Sequence, residues 1–467
     1  MAAGVCMEIP GQQIGVRPLL SVCHGGNRFP SGPWPAMRLG EPRDHFVQCP
    51  IMVPGRSKGT RAPEQVIDLE SFRAKVREWL VENAQRFVEQ QRADPGESRA
   101  FRRELWNAGL LGLTLDPAYE GQGLGDDYQK VFNEEAARYA LPPIGEAVTT
   151  GICAPTLLDF GSEDQKRRHI PRMIRGDEAW TQLLSEPGAG SDLAGLQTKA
   201  VRDGDEYSIT GQKVWTSSAS ESDFALCIAR TNPDVPKHQG LSMFIVDLRA
   251  PGVTIRPLRQ MTGEAHFNEV FLDGVRVPVS DLVGHENDGW RALTAMLTHE
   301  RLALGAGTGA GGSGQGWTQP ASSRFIDLAR RRGLEKDAVV RQELVQLYIA
   351  ERVLGYMGQK MRDEIAAGIQ VGAKGSVAKL ATALISRQSA SLGMRLAGPA
   401  SQAWGVDDAD GGVLARAVCF SPMMAIAGGT SEIQRNTIGE RVLGLPKEPQ
   451  LDRDVPFREV LHNPGAR

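Results

Sequence analysis

The feature that most constrains this chain is the order in which its hydrophobic periodicity changes: a helical third, a β block, then a second helical stretch, with no βαβ alternation. A helix cap at Asp68 precedes Phe72, Val76, Trp79, Leu80 and Phe87 at helical spacing, which predicts an amphipathic helix. Further helical patterns cover Phe101–Leu111, Tyr128–Ala140 and Asp164–Ile174, interrupted by the Gly-rich turn Tyr119–Asp127. From about Ala179, β-branched and aromatic runs predict antiparallel strands (EYSITGQKVWTSS, FALCIART, LSMFIVDL, FNEVFLDGVRVP), with a hairpin turn at Asp203-Gly204. Helical patterns return after Trp290 and run to about Leu443, Val340–Met361 and Ser376–Leu396 being the longest. The expected fold is α+β: an N-terminal helical domain, a central antiparallel β domain and a C-terminal helical bundle. In GTGAGG, Gly307, Gly309 and Gly312 formally satisfy GxGxxG. That fingerprint needs a strand before it and a helix after it, so here the glycines are read as a flexible interruption of a helical region.

Composition narrows the function classes. The 53 Lys+Arg against 56 Asp+Glu give net −3 with no long run of one sign, so no electrostatic footprint for nucleic acid is present. Six scattered cysteines (Cys6, Cys23, Cys49, Cys153, Cys227, Cys419) form no CxxC pair and read as reduced thiols of an intracellular protein. No apolar stretch approaches the roughly 20 residues that span a bilayer, so no membrane insertion is expected. The first cationic side chain is Arg17, which argues against a secretory signal. Residues 1–62 are rich in Pro and Gly and lack helical periodicity; of disorder and an organelle-targeting extension, disorder is the preferred reading, with Met52 a candidate initiator. No His, Cys or carboxylate recurs at ligand spacing, so no metal site is expected, and no GxSxG nucleophile elbow occurs.

Three motifs in order, LSEPGAGSD (Leu184–Asp192), GQKVW (Gly211–Trp215) and GGTSEIQRN (Gly428–Asn436), resemble the acyl-CoA dehydrogenase family. The resemblance covers about Ile67–Pro446. It implies a β-barrel-like central domain and divides the chain into an extension (1–66), an N-terminal helical domain (67–177), a central β domain (178–288), a C-terminal helical domain (289–446) and a tail (447–467). An isoalloxazine ring needs an apolar or aromatic wall on one face and hydrogen-bond donors along its polar edge. The Pro and two Gly of LSEPGAGSD let the backbone turn sharply, so main-chain groups can approach a planar ring. The resemblance implies FAD as cofactor, with Leu184 and Ser185 meeting the flavin, Trp215 and Ser217 covering it, Thr430 touching it and Ser191 contacting the CoA arm. For each the plain alternative is structural: a Trp in a strand is more often core, and PGAG more often only a turn. Arg331 matches the family's diphosphate-binding arginine, although this chain reads Arg331-Arg332-Gly333-Leu334-Glu335, so Arg330 or Arg332 are substitutes.

The implied reaction removes an α-proton from an acyl-CoA thioester to a carboxylate while the β-hydrogen leaves as hydride. Many family members carry the base immediately before Gly-Thr-Ser, where this chain has Gly428. Its backbone N–H keeps the implied oxyanion contact, but glycine accepts no proton. A subset similar to isovaleryl-CoA and long-chain acyl-CoA dehydrogenases places the base on another helix, just before an arginine, and Glu300-Arg301 stands at that place. Glu300 is therefore the candidate base and Arg301 its substrate-side neighbour; the alternative is an exposed glutamate paired with a nearby cation. His299 is read as a flanking polar residue.

The expected partners are an acyl-CoA substrate, an electron-transferring flavoprotein and further subunits in a homo- or hetero-oligomer (dimer or tetramer). The expected location is cytoplasmic, or the mitochondrial matrix in a eukaryote. Two other readings stay open. One is an acyl-CoA oxidase, disfavoured because those enzymes usually carry a further C-terminal helical domain. The other is a non-catalytic or half-site subunit, kept open by the Arg331 region, by Gly428 and by Leu396–Gln402, where the family commonly has a Gly-Gly pair.

Overall fold

The computed structural model describes residues 67–93, 98–139, 141, 148–305, 321–367, 369, 371–402, 411–449 and 452–460. The N-terminal extension, the glycines at 307–312 and Cys6, Cys23 and Cys49 lie outside these. Helix α1 (Leu69–Ala93) begins where expected. The Asp68 carboxylate accepts from the backbone N–H groups of Glu70 and Ser71, both at 3.0 Å, satisfying donors that the first turn leaves open. Phe72, Val76, Leu80 and Phe87 are buried, facing α2 (Ser98–Asn107) and α3 (Asp126–Ala136). Arg73, Arg77 and Arg138 converge on buried Glu135, tying α1 to α3.

The pattern did not foretell the next element, a π turn (Thr149–Cys153) running into α4 (Ala154–Phe160), because TTGIC has neither the length nor the periodicity of a helix. Helix α5 (Glu163–Arg175) follows, closed at its start by a Ser162/Gln165 capping box. The Gln165 amide also donates to the carbonyls of Ser280 (2.7 Å) and Leu282 (2.9 Å), fastening α5 to the β region.

Eight strands follow: β1 (Trp180–Leu183), β2 (Lys199–Asp203), β3 (Glu206–Ser217), β4 (Phe224–Arg230), β5 (Leu241–Asp247), β6 (Val253–Leu258), β7 (Phe267–Pro278) and β8 (Leu282–Val283). They form one sheet in the order β6-β7-β3-β2-β4-β5-β8, with β1 on β4. The sheet is mostly antiparallel, as expected, but β1 and β2 both meet β4 in parallel, and its ends do not close into a barrel. The hairpin forms one residue later than read, Asp203 pairing with Glu206 around Gly204 (φ 61°) and Asp205. The two faces bury different clusters. Trp180, Leu226, Ile228 and Met243 pack with α4 and with Leu293 and Met296 of α6 (Gly289–Gly305), while Tyr207, Phe244, Val270 and Leu272 fill the other side.

The second helical region comprises α7 (Ala321–Arg331), α8 (Ala338–Ala366), α9 (Gly375–Ala397), α10 (Gly411–Phe420) and α11 (Ser431–Thr437). Phe325, Leu347, Leu392, Leu396 and Leu414 build its core, and α9 packs against α6, α7, α8, α10 and α11. Among the described residues no helix is long and apolar enough to cross a membrane, and no group of three His, Cys, Asp or Glu side chains could hold a metal ion.

Candidate active site

The corner between LSEPGAGSD and GQKVW is built around a buried ion pair that the sequence reading passed over. The Lys213 ammonium lies 2.9 Å from Glu186 Oε1 and donates to the Leu184 carbonyl at 3.0 Å. Glu186 also accepts from the backbone N–H groups of Gln197 (2.6 Å) and Thr198 (2.9 Å). Burial works against ionisation of Glu186, but Lys213 and these donors outweigh it and hold the carboxyl below its ordinary range. The Val214 N–H bonds the Ser185 carbonyl at 2.8 Å, so both candidate flavin-contacting peptides are fixed through their oxygens. Gly211 is needed here, since a Cβ would stand 2.2 Å from Thr198 Oγ1.

Trp215 follows directly. Between Lys213 and Thr216 the β3–β7 register slips by one residue, and this bulge carries Trp215 at φ 62°, a left-handed conformation that costs a residue with a Cβ roughly 1–2 kcal/mol. Trp215 is 61% exposed, which rules out the core role usual for a Trp in a strand, and its ring stands edge-on to Phe267 at 6.2 Å. Strain that serves no packing points to a functional surface. Ser217 accepts from the Thr181 hydroxyl at 2.7 Å through its carbonyl. Ser191 is exposed; beside it Asp192 pairs with Lys237, which also holds Asp452.

Glu300 lies on α6, whose Met296 and Leu293 share a core with Leu184. Its neighbour His299, expected only as a flanking polar residue, bonds Asp159 of α4 at 2.8 Å and so ties α6 to α4. Gly428 (φ 67°) and Gly429 (φ 92°) form the turn before α11, where Thr430 caps the helix by accepting from the Ile433 N–H at 3.2 Å. A Cβ on Gly428 would stand 3.5 Å from Glu300 Oε1 and 3.9 Å from Lys379 Cε. The two predicted catalytic positions, far apart in sequence, are thus brought together, and Lys379 of α9 joins them. The Arg301 side chain lies outside the described residues.

Arg331 sits elsewhere in the chain, lining an open cavity of about 280 Å³ with Arg324, Phe325, Asp327, Leu328, Val413 and Leu414. The lining of this cavity comes from α7 and α10 and includes none of Glu300, Gly428 or the residues of the Leu184–Ser217 corner.

The residues present fit a flat, partly polar ring: an exposed indole in a strained conformation stands beside two pinned, partly exposed peptides, on a core shared with the helix that bears a carboxylate. Comparison with known proteins agrees. The N-terminal, middle and C-terminal domains of acyl-CoA dehydrogenase match residues 68–177, 181–275 and 287–443. The chain is 38% identical over 391 residues to the acyl-CoA dehydrogenase IpdE1 of Mycobacterium tuberculosis, covering 82% of this chain and 99% of that protein. Among solved structures it is similar to the ChsE4-ChsE5 complex of Mycobacterium tuberculosis (TM-score 0.66, 30% identity, 83% of this chain and 100% of that one). It is also similar to the Tcur3481-Tcur3483 steroid ACAD (TM-score 0.67, 29% identity, 81% and 98%). The chain belongs to the acyl-CoA dehydrogenase family, whose members are FAD-dependent oxidoreductases.

Proposed function

We propose that this chain converts an acyl-CoA thioester to the trans-2-enoyl-CoA, with Glu300 as the base. The observation that carries the reading is the approach of the Glu300 carboxylate to Gly428, its Oε1 standing 3.5 Å from the position a Cβ would take there. FAD, when bound, supplies the acceptor for the β-hydrogen, which leaves as hydride. Glu300 takes the α-proton on a carboxylate oxygen as the α–β double bond forms. The Gly428 backbone N–H donates toward the thioester oxygen, where negative charge develops. Leu184, Ser185, Trp215, Ser217 and Thr430 hold the ring, Trp215 shielding it from water. Ser191 and Arg301 lie on the substrate side, and Arg331 reaches the diphosphate of a cofactor held mainly by another subunit. The electrons then pass to an electron-transferring flavoprotein.

The strained, exposed indole beside the pinned Leu184–Ser185 peptides supports the flavin assignments. The test is anaerobic titration of the purified yellow protein with CoA thioesters of different length and branching, including steroid carboxylates, read through flavin absorbance. Bleaching by one class supports the reading, and no bleaching by any of them refutes it.

A second reading has specific support: the chain works beside a different acyl-CoA dehydrogenase chain. Relatives solved as complexes of two named chains, the separate Arg331 cavity and glycine at position 428 favour it. Well-folded protein that binds FAD only after a partner chain is added would establish it over the homo-oligomer.

A further inference from the structure

Lys379 belongs to none of the three motifs, yet it stands on the turn that opens the third of them, beside Glu300. Its ammonium, on the side of α9 facing α6 and α11, donates to the carbonyls of Gly429 at 2.7 Å and Met424 at 3.1 Å. It therefore spans the segment that ends in two consecutive left-handed glycines, a backbone with no side chain of its own to hold it. Gln434 grips the same turn from the other side, its amide donating to the Gly428 carbonyl at 2.9 Å. Burial pushes the Lys379 ammonium below its ordinary range, and Glu300 and Glu432 offset part of that cost. A half-buried cation placed on backbone carbonyls beside a carboxylate is an expensive way to close a turn, and a neutral donor would serve if closure were its only task.

We propose that Lys379 is a positioning residue that holds the Gly428–Gly429 turn and the Glu300 carboxylate in one register, so that base and oxyanion donor address the same thioester. The inference rests on the reading of Glu300 as the base. Lys379 touches neither substrate nor cofactor in this scheme. It fixes where the Gly428 N–H points, and its charge keeps the Glu300 carboxylate directed at that turn.

The experiment uses FAD-loaded protein in D₂O and follows exchange of the α-hydrogens of butyryl-, octanoyl- and isovaleryl-CoA and of a steroid-carboxylate CoA thioester, taking the fastest in the unmodified protein as probe. Lys379→Met should retain FAD and its visible spectrum while α-exchange falls about 10- to 100-fold. Backbone hydrogen exchange should rise within residues 424–430 and not elsewhere. Lys379→Arg, keeping charge and donors, should recover to within about tenfold of the unmodified rate. In a Glu300→Gln background, Lys379→Met should cost less than about threefold, because the step it organises is already lost. If Lys379→Met does not fold, Lys379→Gln carries the same expectations. Unchanged α-exchange in the Lys379 variant while Glu300→Gln abolishes it would overturn the role of Lys379 and leave the base intact. A full Lys379 effect in the Glu300→Gln background would overturn it too, by showing a merely structural lysine. Unmodified exchange in Glu300→Gln, or no exchange of any probe in the unmodified protein, would instead overturn the reading on which it rests.

Discussion

Lys213→Met isolates the ion pair beneath the candidate flavin corner. The Lys213 side chain is fully buried and that of Glu186 nearly so, at 5% exposed. Methionine fills the volume of the lysine stem, so the loss is electrostatic: a buried carboxylate deprived of its cation, with the Leu184 carbonyl losing a donor. Breaking such a pair on one side typically costs about 3–5 kcal/mol. Here the N–H groups of Gln197 and Thr198 stay on the carboxylate, which puts the expected cost at the low end, about 3 kcal/mol. For a unit of this size, Val66–Arg467, that corresponds to a fall in Tm of roughly 3–4 °C. The sign of the pH effect follows. In the unmodified protein Glu186 is held low, so its contribution is present above the ordinary carboxylate pKa of about 4.3 and lost as pH falls through the folded value. Without Lys213 burial dominates, the carboxyl titrates higher, and protonation relieves the strain. The deficit should therefore shrink between pH 8 and pH 5. Scanning calorimetry at both values, with FAD content from visible absorbance, measures this. A Tm within 2 °C of the unmodified protein, or a deficit that grows in acid, would refute the argument.

Two further perturbations address other parts of the fold. The Arg77 hydrogen bond, opposed by burial and helped by Arg73 and Arg138, holds Glu135 at about 2. Its stabilisation is thus complete above about pH 4.3 and lost as pH falls toward 2, and Glu135→Gln should flatten an acid titration of helix content by circular dichroism in that window. Phe457 is buried against the Arg230 guanidinium, 3.3 Å from its ring centroid, and Arg230 in turn donates to the carbonyls of Ala194 and Leu196. Phe457→Ala should cost about 3 kcal/mol, speed hydrogen exchange across residues 452–460, and raise KM for CoA thioesters more than it lowers kcat.

The helices legible in the sequence were those whose apolar stripes recur over three or more turns, as in α1, α8 and α9. Short elements such as α4 had no such signal, and the parallel pairing of β1 with β4 leaves no trace in local periodicity. At the candidate site, the motifs singled out Leu184, Ser185 and Trp215 and the Glu-Arg pair singled out Glu300, but contacts between these segments were invisible. Glu186 and Lys213 both lie in quoted segments, and nothing local says that β3 brings them together. The outward turn of Trp215 depends on a slip of register against β7, and the approach of Glu300 to Gly428 on the packing of α6, α9 and α11. Residues 452–460 carry too few apolar positions to announce an element, yet Lys237 and Arg230 dock them onto the β region.

The central claim is that Glu300 removes the α-proton in a site where position 428 has no side chain. It is tested most directly by mixing FAD-loaded Glu300→Gln anaerobically with the acyl-CoA that bleaches the unmodified protein fastest, and following flavin absorbance. The account predicts normal FAD content and a reduction rate about 10²- to 10⁴-fold lower; reduction at the unmodified rate would contradict it.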